Sequence, residues 1–324
     1  MREILQFNKL QEIKGVEVKK LILITIFLSS NLFSQSAFEF LKLDASARSA
    51  AIGGAFVSNV DDPNSIFYNP SSIQFVEPNS VSFGFLKHLL DVNSGFASYT
   101  TKITGVGKVA FGLMYTNYGN FDELDEFGNT SGSFSAGDLG IVANYSSLIR
   151  ENLSYGVNVK LIYSSIYNVN SVAFAADFGL LYYDAPKQFS AGISILNVGS
   201  QLKAYYNSKE KLPVDVRLGM SKKLEHTPFR LYLEFTKLNQ SEKEIFSGFS
   251  NFILGGEIYT SSALTLRFGF NNEKRKDFKV GTTTGTEGFN LGLGINLSGY
   301  KFDYALSSFG KIGLLHRINL TTSL

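Results

Sequence analysis

Histidine is the side chain best suited to acid–base work or metal binding near neutral pH, and the chain has three: His88, His226 and His316. They stand far apart, with no His-Glu-x-x-His or other spacing that sets two imidazoles on one metal. No Gly-x-Ser-x-Gly elbow and no glycine-rich phosphate loop occurs. Cysteine is absent, which removes disulfides, thiol catalysis, Cys-ligated zinc and lipoprotein acylation. His316 is the one to weigh, because alternation sets it among Leu314, Ile318 and Leu320 on one face. No serine or acid at a defined spacing accompanies it. Without a nucleophile, base and orienting group, the sequence predicts a protein that is not an enzyme and has no catalytic, metal-binding or cofactor-binding residue.

The charges fall into a different pattern. Lys160, Asp177, Asp215, Arg217, Arg267, Asp303 and Arg317 all sit on the polar phase of segments whose other phase is apolar. The stretch Phe289–Leu297 shows the pattern most simply. Phe289, Leu291, Leu293, Ile295 and Leu297 alternate with Asn290, Gly292, Gly294 and Asn296. Period two is the signature of an extended strand with two unlike faces. About fourteen such segments follow one another from residue 80 onward, among them 107–118, 136–148, 188–198, 213–223 and 250–260. Most are long enough for the roughly 9–11 residues with which a tilted strand crosses a bilayer.

Two independent checks agree. None of the six prolines, Pro63, Pro70, Pro78, Pro186, Pro213 and Pro228, interrupts a strand interior, where its missing N–H would break the ladder. Short links such as "TGVG" and "DAPK" alternate with long ones such as "NFDELDEFGNTSGSFS" and "NEKRKDFKVGTTTGT", so the long connections gather at one end. Outer-membrane barrels sort their loops in this way; a soluble β-sandwich has no reason to. The expected fold is all-β, a transmembrane antiparallel barrel with lipid on its apolar face and a polar lumen within. A net charge of +2 and no basic stripe give no reason to expect nucleic acid.

The first 35 residues read as a leader and secretory signal peptide. Lys19 and Lys20 precede an apolar run, "LILITIFL", and then small polar residues, with cleavage after Ser34 or Ser36. The run is far short of the roughly 20 residues that a membrane-spanning helix needs. The unusual leader ahead of it suggests Val18 as an alternative initiator.

Residues 36–79 do not alternate. Asp44 is a candidate N-cap for a short helical run over 45–51, which Gly53 and Gly54 stop. "DDPN" and "NP" mark turns. This segment is expected to fill the lumen of the 80–324 barrel as a plug, with Arg48 pairing with Asp61 or Asp62. Whether it gates or merely packs stays open at this level.

The same segment carries a resemblance. Its Ala47-Arg48 pair, Gly53-Gly54-Ala55 turn, Asp61-Asp62 and Asn69-Pro70 are similar to the opening of the PorV/PorQ family of Bacteroidota outer-membrane proteins, except that Ser71 stands where an alanine is usual. The ending "FDYALSSFGKIGLLHRINL" also resembles that family's closing hairpin, and chain length with the opening favours its PorQ branch. The resemblance implies a fourteen-stranded FadL-like barrel in a Gram-negative outer membrane, serving the type IX secretion system. It implies a PorZ-like surface partner, held for the PorU/PorV complex that attaches cargo to lipopolysaccharide.

Two external loops carry charges that could meet such a partner. Loop 119–135 has Asp122, Glu123, Asp125 and Glu126; loop 272–286 has Lys274, Arg275, Lys276 and Lys279. The alternative role is a FadL-like channel for hydrophobic small molecules, against which the charged lumen argues.

Overall fold

The computed structural model describes residues 38–240, 247–279 and 285–324; the leader and signal peptide read from residues 1–35 lie outside them. Among the described residues the strands are β1 Ser80–Lys87, β2 Asn93–Ile103, β3 Gly107–Leu124, β4 Thr130–Arg150, β5 Leu153–Ile166, β6 Val169–Asp184 and β7 Phe189–Lys203. They continue as β8 Asp215–Lys223, β9 Phe229–Phe235, β10 Phe252–Tyr259, β11 Leu264–Asn271, β12 Phe289–Leu297, β13 Tyr300–Ser308 and β14 Leu314–Ser323. Each pairs antiparallel with its sequence neighbour. Strand β1 also pairs with β14, from Ser80↔Ser323 to Lys87↔His316, and this closes the sheet into a barrel. Within the wall, closure satisfies every strand edge, as a hydrocarbon surround requires.

The burial pattern inverts that of a water-soluble protein. On β5, Val159 and Leu161 are 46% and 49% exposed, while Asn158 and Lys160 between them are 0% and 3% exposed. Phe83, Phe111, Phe174, Ile193, Leu266, Leu291 and Ile318 continue this apolar outer surface around the barrel. Hiding one such side chain from water is worth about 1.5–3 kcal/mol. A surface built of many of them is stable against lipid tails and not against water. A sandwich would turn these residues inward between two sheets; here they face out from one.

The inner face is small and polar because something presses against it. Residues 38–79 lie within the barrel and touch strands around much of its circumference. The helix α1, Ala47–Ala51, packs on β11 to β14, and the 3-10 turns Pro63–Phe67 and Pro70–Phe75 pack on β1 to β6. A β-carbon at Gly156 of β5 would overlap the Pro70 carbonyl, and one at Gly269 of β11 would overlap the backbone of Ile52 and Gly53. Only glycine allows these close approaches.

Two strand boundaries depart from the sequence expectation. Strands β3 and β4 run well past 118 and begin well before 136, so most of the region read as loop 119–135 is a hairpin joined by a five-residue turn, 125–129. Apart from Phe121, Leu124 and Phe134 its strand residues are polar or glycine, so no sustained apolar phase marks it in the sequence. The region 272–286 likewise opens with a helix, α2, Asn272–Phe278, capped by Asn271, whose side chain accepts from Lys274 N.

Candidate functional site: the plug and its ion cluster

Helix α1 begins two residues later than its sequence suggests. Ser46, not Asp44, is the N-cap, its hydroxyl accepting from Ser49 N at 3.4 Å. Asp44 instead accepts from Lys274 Nζ of α2 at 2.5 Å, which ties the plug to an external connection. The stop is as the glycines indicate. Gly53 N donates to Ala50 O at 3.0 Å and Gly54 N to Ser49 O at 2.9 Å, with φ values of 79° and 101°. That is the Schellman pattern, which needs a left-handed residue just past the helix.

The helix delivers Arg48 to the inner wall. Its Nε and Nη2 donate to the two carboxylate oxygens of Glu257 on β10, at 2.8 and 3.0 Å, and Nη1 donates to Asp61 at 2.7 Å. Asp62 does not pair with Arg48. It caps the turn Pro63–Phe67, accepting from Asn64 N and Nδ2, both at 2.9 Å. Burial pushes the Asp62 carboxyl above the usual aspartate range, against the pull of Arg48. Glu257 also accepts from Arg267 Nε at 2.8 Å and from the hydroxyls of Tyr232 and Tyr259 at 2.7 and 2.9 Å. Arg267 goes on to Asp303 at 2.6 Å. The result is one run of alternating charge, Asp61–Arg48–Glu257–Arg267–Asp303, from the plug into the wall. Glu257, its hub, is 0% exposed, so the bonds it accepts are charge-assisted in a place poor in water, while Asp61 at the outer end is half exposed.

The rest of the plug is held by neutral bonds and smaller pairs. Asn69 caps the turn Pro70–Phe75, accepting from Ser71 N and Oγ at 3.1 and 2.6 Å and donating to Val57 O at 2.8 Å. Ser71, where the resembled family usually has alanine, thus gives its hydroxyl to the cap. Pro70 fills the first position of the turn, where its missing N–H costs nothing. Asn144 and Asn158 donate from the wall to Pro70 O and Ile66 O at 3.1 and 2.8 Å. Asn319 accepts from Ala47 N at 2.6 Å. Glu234 accepts from Val57 N at 2.9 Å; within the wall itself, Lys160 of β5 pairs with Asp177 of β6 at 2.8 Å.

The sequence-predicted residues therefore divide. Ala47, Arg48, Gly53, Gly54, Asp61, Asp62, Asn69 and Pro70 gather in the lumen. Asp122, Glu123, Asp125 and Glu126 gather on the β3–β4 hairpin outside it. The basic group is less free than its sequence suggests: Lys274 is bound to Asp44, and Lys276 donates to Ser250 O and Oγ at 3.0 and 2.8 Å. Glu257 and Glu234 are plug partners missed from the sequence, and Tyr232 supports Glu257, although their strand phase already pointed them inward. His316 lies on the outer face with its Nδ1 bonded to Tyr304 Oη at 2.8 Å, and no acid or serine among the described residues joins them. Among the described residues no cluster of His, Asp and Glu is arranged to hold a metal ion.

A cavity of about 60 Å³ lies beside the plug, lined by Asp44, Asp215, Arg217, Lys237, Glu273 and Lys274. It is charged and far smaller than the few hundred Å³ that an apolar ligand site takes.

No protein-family model and no curated protein matches this sequence. Solved structures do match in fold. The toluene transporter TbuX of Ralstonia pickettii aligns with a TM-score of 0.54 at 13% identity, over 85% of this chain and 96% of that one. The monoaromatic hydrocarbon channel CymD aligns with a TM-score of 0.58 at 12% identity, over 86% and 97%. A FadL homologue of Pseudomonas aeruginosa aligns with a TM-score of 0.53 at 10% identity, over 86% and 98%. The chain is thus a closed fourteen-stranded transmembrane barrel with the fold of FadL-like outer-membrane channels.

Proposed function

We propose that this chain is a FadL-like channel of a Gram-negative outer membrane that admits small hydrophobic molecules, with residues 38–79 as its closure. The observation that carries this reading is the shared barrel, which extends over almost the whole length of the toluene transporter TbuX and the channel CymD. The lumen is filled in this structure, so passage requires the plug to shift. The tie from Asp44 to Lys274 of α2 is the contact through which an event outside would reach it.

A second reading rests on different observations. The opening and closing motifs resemble the PorV/PorQ family of Bacteroidota, and the lumen offers ion pairs rather than an apolar bore. Both suit a static barrel that anchors a PorZ-like surface protein for the PorU/PorV attachment complex of type IX secretion. One deletion strain separates the two. Loss of toluene or fatty-acid uptake with normal cargo attachment supports the channel. Cargo shed into the medium with normal uptake supports the anchor.

A further inference from the structure

Past Asn117, β3 leaves the barrel wall. The register of β2 with β3 ends at Asn93↔Asn117, and that of β4 with β5 ends at Ala136↔Ile166. Strands β3 and β4 continue alone, from Asn120↔Ser135 to Leu124↔Thr130, after a bulge. The seven residues from Tyr118 to Leu124 project about 20 Å. A lone two-stranded ribbon is marginal in water, and this one is braced. Phe121 stacks on Phe134 at 5.2 Å, Tyr167 meets Phe134 edge-on at 5.4 Å, and Tyr167 Oη donates to Glu123 at 3.0 Å. Asp125 fixes the turn, accepting from Phe127 N and Asn129 N at 2.9 and 2.8 Å.

Beyond Ser135 neither edge of the ribbon has a neighbouring strand among the described residues, and the edge of β3 is the one with unpaired carboxylates beside it. Successive residues of a strand turn their N–H and C=O to opposite sides. Tyr167 N donates to Ser135 O, so the odd residues of β4 face β5 and the even ones face β3. Phe134 and Gly132 therefore bond to Phe121 and Glu123, and Asn120 and Asp122 aim their backbone groups away from β4. Among the described residues no strand covers that side. Proteins usually blunt a bare edge with lysine, but no lysine or arginine occurs between Lys108 and Arg150. Asp91, Asp122 and Glu126 lie along or beside the edge, and none has an ion-pair partner among the described residues.

We propose that the outer edge of β3, at Asn120 and Asp122, takes an extended Lys- or Arg-rich segment of a surface polypeptide as an added strand. Backbone bonds would supply affinity and the carboxylates would select the sign of charge. A second copy of this chain is a poor occupant, because the same acidic edge would face itself. The inference does not depend on whether the lumen conducts.

The test uses the purified full-length barrel in detergent and an eight-residue peptide alternating lysine and valine. Fluorescence anisotropy reads binding, and hydrogen exchange reads protection. The peptide is expected to protect the Asn120 and Asp122 amides. N-methylation of its alternate amides, or Asp122→Pro in the barrel, should each weaken binding about tenfold, the size of one or two lost backbone bonds. Asp122→Asn keeps the edge donor and should weaken binding less than Asp122→Pro. Both substitutions lie outside the barrel wall, and heat-modifiable migration on gels confirms that the barrel is folded. Equal binding of the methylated peptide, protection at Ser131 and Ser133 instead, or dimerisation of the barrel through this hairpin would each overturn the proposal.

Discussion

Arg48 and Glu257 stand 209 residues apart in sequence and meet in two parallel bonds of 2.8 and 3.0 Å, between the plug and the barrel wall. A fork-to-fork pair of this kind fixes direction as well as distance. It decides how α1 sits in the lumen, and the arms to Asp61 and Arg267 extend that decision to the rest of the cluster.

Removing one partner should therefore cost more than removing both. Arg48→Ala leaves the buried Glu257 carboxylate with one cation, Arg267, among the described residues, beside the Tyr232 and Tyr259 hydroxyls, and breaking a buried pair on one side costs about 3–5 kcal/mol. The double variant Arg48→Ala/Glu257→Gln removes the stranded charge and should recover a large part of that loss. Urea unfolding in liposomes of the parent, Arg48→Ala, Glu257→Gln and the double variant closes the cycle. Strictly additive losses would mean that the pair contributes no coupling.

The outer face has its own expected outcome. Leu161 lies near the middle of β5 and is 49% exposed. Leu161→Arg should destabilise the folded barrel in a bilayer by about 2–4 kcal/mol, the cost of an arginine near the midplane. On a water-facing surface the same change would be nearly neutral. A loss below about 0.5 kcal/mol in liposomes, the scatter of ordinary surface substitutions, would contradict the assignment of this face to lipid.

These two sites show what the sequence made legible. The faces of β5 and β12 were readable because lipid and lumen impose unlike chemistry on alternate residues, and alternation survives in the sequence. Arg48 with Asp61 was readable as one of two nearby acids. Glu257 was not, because nothing local links a helix near the N-terminus to a strand so far along the chain, although phase alone turned Glu257 inward. The outer part of the β3–β4 hairpin was hidden for the opposite reason. Phe121 and Phe134 are too few to set up an apolar phase there, and a strand without one reads as a loop.

Close approach at Gly156 predicts how the plug is released. A β-carbon there would overlap the Pro70 carbonyl, and the backbone of a barrel strand is held on both sides. The turn Pro70–Phe75 must give way instead. Gly156→Val should raise the conductance of the barrel in planar bilayers and expose residues 38–79 to protease. The barrel itself should keep its heat-modifiable migration. Unchanged conductance together with unchanged protease resistance would show that the plug packs more loosely than the structure indicates.

Asp62 gives a pH dependence with a definite sign. Burial raises its carboxyl above the ordinary aspartate range in the folded plug; Arg48 opposes the rise, and Asp303 adds to it. The folded state therefore holds the proton more tightly than the unfolded chain does. The stability linked to this group is full below the ordinary aspartate pKa and is lost as pH rises through the elevated folded value. Asp62→Asn imitates the protonated side chain and keeps the oxygen that accepts from Asn64 N and Nδ2. It should leave the plug at least as stable at neutral pH and flatten that part of the pH profile. Asp62→Ala removes the cap as well and should cost about 1 kcal/mol relative to the asparagine variant. Protease resistance of residues 38–79 between pH 4 and pH 8, roughly from the ordinary aspartate pKa upward, reads all three forms. A parental profile that rises with pH, or an asparagine variant as weak as the alanine one, would show that Asp62 works in the plug as a charge and not as a cap.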